Sequence, residues 1–130
     1  PPSETLMYGF SYTIENPNAP PTFCGAGGGE TLGDSIVREG DTSPDGMREK
    51  AARVMAIMEE RMTGLGMKWP QVTAVNVYTA NTATDWLAPQ LLSRMGADAV
   101  HGVHWHLSRP PIIGLDFEMD LRGTLTTHWL

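Results

Sequence analysis

Val100-His101-Gly102-Val103-His104-Trp105-His106-Leu107, then Ser108-Arg109-Pro110-Pro111, then Ile112-Ile113-Gly114-Leu115-Asp116-Phe117-Glu118-Met119-Asp120-Leu121: this run decides how the chain is read. The outer two stretches carry β-branched and aromatic residues and read as strands, with the prolines as the turn between them. In the second strand Leu115, Phe117, Met119 and Leu121 alternate with Asp116, Glu118 and Asp120. One face is therefore apolar and the other acidic. A solvated face explains that pattern, and so does a cleft at a subunit interface. Three of the chain's four histidines fall in the same run, so chemistry is sought here first.

Working back from it, Asp85 to Arg94 reads as a short helix whose first turn must hold Pro89, since an interior proline breaks a helix. Leu91, Leu92 and Met95 are its expected buried positions. Gln71 to Thr79 reads as a strand, with Thr73, Val75, Val77 and Thr79 on one face and Val72, Ala74, Asn76 and Tyr78 on the other. A long helix opens at Ser43-Pro44, serine as cap and proline at the first helical position. Met47, Ala51, Val54, Met55, Met58, Met62 and Leu65 recur at helical spacing, and Gly64 and Gly66 stop the helix. The methionine stripe reads as core. Thr31 to Asp45 reads as a polar connection, and Gly27-Gly28-Gly29 as a loop that matches no phosphate-binding fingerprint. Thr22 to Ala26 is a short strand expected to pair with an earlier one, Met7 to Ile14. The order is β-β-α-β-α-β-β. It predicts a single α+β domain over residues 1–130, one sheet with two helices on one face.

Composition narrows the function. The 130 residues are 41% hydrophobic and carry a net charge of −6, enough for a modest core and unfavourable for nucleic acid or an anionic membrane. No apolar run approaches a membrane span, and no signal peptide is visible. The single cysteine, Cys24, forms no internal disulfide and suits a cytoplasmic setting. Pro1 could serve as a terminal base, but termini are usually loose and a plain tail is the simpler reading. The apolar ending Thr127-His128-Trp129-Leu130 is expected to pack on a neighbouring subunit.

Three stretches give the chain a family likeness. Thr22-Phe23-Cys24-Gly25, the helix and strand from Met47 to Val77, and Arg109-Pro110 through Asp120 resemble the RidA family, the YjgF-type reactive intermediate deaminases. The resemblance implies a chorismate-mutase-like α+β fold and a homotrimer. It also implies cofactor-free, metal-free binding of small carboxylate-bearing enamines or imines between subunits. Family deaminases clamp the substrate carboxylate with an arginine and position water with a glutamate. Placing Pro110 on the family's turn proline puts His101 at the arginine position and Asp116 at the glutamate position. Cys24 and Gly25 fall at the family's Ser-Gly, and Tyr8, with Tyr12 as alternate, at its cleft tyrosine.

The missing arginine matters chemically. A guanidinium presents a rigid fork to a carboxylate, whereas an imidazole is better suited to proton transfer near neutral pH. Three functions are thus expected in order. The first is a cofactor-free hydrolase or deaminase acting on a small unsaturated or nitrogen-containing organic acid or amide. In it His101 and Asp116 are catalytic, Tyr8, Cys24 and Gly25 bind substrate, and Arg109 is held away in the turn. The second is a non-catalytic metabolite-binding trimer. The third is a metalloenzyme using His104, His106 and a carboxylate, because His-x-His with an acid is a usable ligand set. Strand alternation turns His104 and His106 away from His101, so one site using all three is disfavoured.

Overall fold

The computed structural model describes residues 3, 4, 12, 14–82 and 84–126. Tyr8, most of the expected strand Met7–Ile14, and the tail from residue 127 lie outside them. Tyr12 and Ile14 are described and are not in a strand.

A four-stranded sheet runs in the order β1 (Phe23–Gly29), β6 (Glu118–Gly123), β4 (Ala74–Tyr78), β5 (His104–His106). β6 is antiparallel to both its neighbours, while β5 runs parallel to β4. Two further short strands, β2 (Thr31–Leu32) and β3 (Ser35–Ile36), make a hairpin within the expected polar connection. Helix α1 (Pro44–Gly64) begins as its sequence requires: the Ser43 hydroxyl accepts the Gly46 N–H at 3.2 Å. Its Met47, Ala51, Val54, Met55, Met58 and Met62 are buried with Val75, Val77, Met119 and Leu121 of the sheet. The α+β class with one main sheet and helices over one face is as expected.

The central run is not a hairpin. Only His104–His106 forms a strand in its first half, because Gly102 takes φ of +69° and closes a 3-10 segment, Gly96–His101. Pro110 and Pro111 lack N–H groups and cannot close a ladder. The chain instead crosses over, and β6 enters on the opposite side of β4 from β5. Strand β6 also starts late. The N–H groups of Asp116 and Phe117 donate to the carboxylate of Glu30, at 2.6 and 3.1 Å, and so are not offered to a neighbouring strand. The expected helix Asp85–Arg94 is a π-helical turn, Leu87–Leu92, running into α2 (Ser93–Met95). Pro89 lacks the N–H that a regular α-turn would use. Trp86 anchors this segment: it is fully buried, edge-on to Phe117 at 4.8 Å and to Trp105 at 6.3 Å. Among the described residues no helix is long and apolar enough to cross a membrane.

Candidate functional site

Among the described residues the sheet has one face against the helices and a second, open face with no helix packed on it. Residues directly paired across a ladder share a face, so the open face is set by register. Glu118 stands opposite Tyr78, Asp120 opposite Asn76, and Arg122 opposite Ala74 and Cys24. On the next strand His104 pairs Asn76, and His106 pairs Tyr78. The acidic alternation in the sequence is thus one row of a polar face assembled from four strands.

A chain of hydrogen bonds ties this face together. The Asp120 carboxylate accepts from Asn76 Nδ2 at 2.7 Å and from the Tyr78 hydroxyl at 2.8 Å. With the Asn76 amide nitrogen so engaged, its Oδ1 faces His106 Nε2 at 3.1 Å, which sets that nitrogen as the donor. The His106 ring stacks on Tyr78, centroids 4.6 Å apart. Burial, then the hydrogen bond to Asp120, pushes the Tyr78 hydroxyl up to about 12, so it remains a proton donor.

Beside this network lies an open cleft of about 280 Å³, lined by Gly27, Tyr78, Arg109, Pro111, Glu118 and Asp120. Burial first, then the charges of Asp120 and Glu30, raise the Glu118 carboxyl above its ordinary value. Arg109, placed by the two prolines that follow it, brings a cation to the same cleft. Gly27 sits at a register shift of β1, with its carbonyl and that of Ala26 accepting from Arg61 Nη1 of α1, at 2.9 and 2.6 Å. A Cβ at residue 27 would lie 2.5 Å from Glu118 Oε1, so glycine is what leaves room for that carboxyl.

The sequence-derived candidates fall elsewhere. His101 is exposed on the 3-10 segment. Asp116 precedes β6 and its carboxylate pairs with Lys50. The two do not meet at the cleft: neither is among its lining residues. Gly25 is buried, with Leu121 against the position of its missing side chain, while Cys24 is exposed on the open face. Tyr8 lies outside the described residues. His106 is engaged with Asn76, and among the described residues no group of three or more His, Cys, Asp or Glu side chains is placed to hold a metal ion. Arg109 is the residue that sequence reasoning set aside and the fold brings in. The face shared by Asn76 and Tyr78, had it been matched to the acidic row, was the signal for the network.

Comparison with known proteins agrees with this architecture. Residues 1–128 match the family model described as 2-aminomuconate deaminase CnbZ. A 2-amino-5-chloromuconate deaminase from Comamonas testosteroni is 40% identical over 132 aligned positions, covering 95% of this chain. The chain spans only 52% of that relative's length. A crystal structure of YyfB, a Rid-family protein of unknown function from Yersinia pestis, superposes with a TM-score of 0.58 at 16% identity. That superposition covers 83% of this chain and 81% of YyfB, and it speaks to the fold alone. With a Rid-type sheet and a match over nearly its whole length, the chain belongs to the 2-aminomuconate deaminase CnbZ family.

Proposed function

We propose that this chain deaminates a small 2-amino-dienoic acid of the 2-aminomuconate type by hydrolysis, without a cofactor. The observation that carries the reading is one cleft presenting a cation, Arg109, beside a carboxyl with a raised pKa, Glu118, and a second carboxylate, Asp120, fixed by Asn76 and Tyr78. The names of the matching family and of the Comamonas relative supply the substrate class.

The chemistry follows from those groups. Arg109 binds the carboxylate next to the nitrogen-bearing carbon. Glu118, in its protonated form, gives a proton to the diene carbon of the enamine and leaves the imine. Its carboxylate then takes a proton from water as the oxygen adds to the imine carbon, and the carbinolamine expels ammonia. The balance is R–C(=NH)–COO⁻ + H₂O → R–CO–COO⁻ + NH₃. Asp120 stays in place to orient the water and offset charge. His101 and Asp116 have no part in this scheme.

A homotrimer with this cleft between subunits fits the same reading. Among the described residues β5 is the last strand of its sheet, and Leu107, Ile112 and Ile113, near Arg109 and Pro111 of the cleft, are exposed. Sedimentation of the protein is expected to give three times the chain mass.

The direct test is release of ammonia from 2-aminomuconate, with Arg109→Gln as the control. Losing a charge-assisted hydrogen bond to a carboxylate costs about 1.5–3 kcal/mol. The variant should therefore raise KM by about ten- to a hundredfold while kcat changes little, the pattern of lost binding common to ground and transition states. An unchanged KM would remove Arg109 from the site, and absence of ammonia release by the parent protein would end the deaminase reading.

A further inference from the structure

Arg122 is a group the scheme above does not use. It lies on β6, on the same open face as Glu118 and Asp120, four and two residues beyond them. Its ladder partners are the small side chains Ala74 and Cys24, which leave little side-chain bulk beside it on that face. Its Nε is buried and has no hydrogen-bond partner among the described residues. A guanidinium donor left orphaned out of water is costly and calls for a functional or structural reason. The guanidinium also acts on the cleft itself, since its charge offsets part of the rise at the Tyr78 hydroxyl.

We infer that Arg122 is a second carboxylate anchor, holding the far end of a dicarboxylate whose near end is bound by Arg109, and so selects diacids over monoacids. This rests on the deaminase reading for the identity of the reacting end. Strand geometry sets the scale: Arg122 is ~13 Å along β6 from Glu118, at roughly 3.3 Å per residue. Side chains reaching inward from both ends shorten that to the length of an extended, conjugated diacid. The stiff diene keeps the two carboxylates apart, so one guanidinium cannot serve both. Glu118 shares the cleft with Arg109, and Asp120 lies between Glu118 and Arg122 along β6, so both carboxyls stand beside the path of such a diacid. A fork-shaped donor with an unused Nε–H is matched to a terminal carboxylate.

Calorimetric titration with muconate and with sorbate tests this without turnover, because the two share one carbon chain and differ in the second carboxylate. The parent protein is expected to bind muconate at least about tenfold tighter than sorbate. Arg122→Gln should bring muconate down to the sorbate level and leave sorbate unchanged. Equal binding of both probes by the parent protein, or a loss in Arg122→Gln that falls equally on both, would overturn the assignment. A melting curve checks that the variant is folded. If it is not, Arg122→Lys decides: weaker muconate with unchanged sorbate supports the anchor, and no change in either refutes it. Failure of ammonia release from 2-aminomuconate would sink the deaminase reading and leave the muconate–sorbate difference standing.

Discussion

Glu118→Gln is expected to lower kcat for ammonia release by about 10²–10⁴-fold, the contribution of a positioned general acid or base. Glutamine keeps the size and can still hydrogen-bond, but it neither gives nor takes a proton. The pH profile is the sharper readout. Burial and the charges of Asp120 and Glu30 favour the neutral carboxyl. Protonation of the enamine needs that neutral form, so turnover should fall as pH rises through the raised Glu118 pKa. The variant's residual activity should lack that limb. Stability moves with the same group. The unfolded chain releases this proton near the ordinary value of 4.5, before the folded chain does. Between the two values the folded state binds more protons, so the parent protein loses stability as pH climbs through that window. Glu118→Gln should therefore be the more stable protein above the window and hold no such advantage below it. Turnover within tenfold of the parent, with its alkaline limb intact, would place the proton step on another residue.

Much of the frame was legible because its signals are local. Ser43-Pro44 opens α1, and the methionine spacing puts its stripe into the core. Alternation from Leu115 to Leu121 gave the two faces of β6, and that from Thr73 to Thr79 those of β4. Strand partners were not legible. A proline turn between two apolar stretches looks the same whether the strands pair or cross over; the fold places β6 on the far side of β4 from β5, with Phe117 packed on Trp86. The grouping of candidate residues went with the topology. Aligning a turn proline favoured His101 and Asp116 by spacing along the chain, but distance in a fold follows register. Register puts Glu118 and Asp120 opposite Tyr78 and Asn76. Asp116 resembles its neighbours in sequence, yet stands two residues before the ladder begins, where Glu30 and Lys50 claim it.

Lys50→Met should destabilise the fold by about 3–5 kcal/mol, the cost of breaking a buried ion pair by removing one partner. Lys50 stands three residues after Met47 and four before Val54, at the edge of the buried stripe, and although a lysine is not expected there its side chain is fully buried. It pairs with Asp116 and stands 3.6 Å from Glu30, which is itself fully buried. Methionine would fill the space of the lysine stem but leave two carboxylates without their cation. The consequence reaches the site, because Glu30 accepts the N–H groups of Asp116 and Phe117 and so fixes the chain just before Glu118. Lys50 is in this sense a positioning residue for the cleft. Against a typical stability of roughly 5–15 kcal/mol, the loss removes a large share of the total. Chemical denaturation reads it as a lower midpoint with an unchanged slope. Adding Asp116→Asn to Lys50→Met, which takes away the nearer uncompensated charge, should recover part of the loss, a coupling that a mere packing defect would not produce. A cost below about 1 kcal/mol, in the range of exposed pairs, would mean that Lys50 reaches water and that the segment before β6 is held by other contacts.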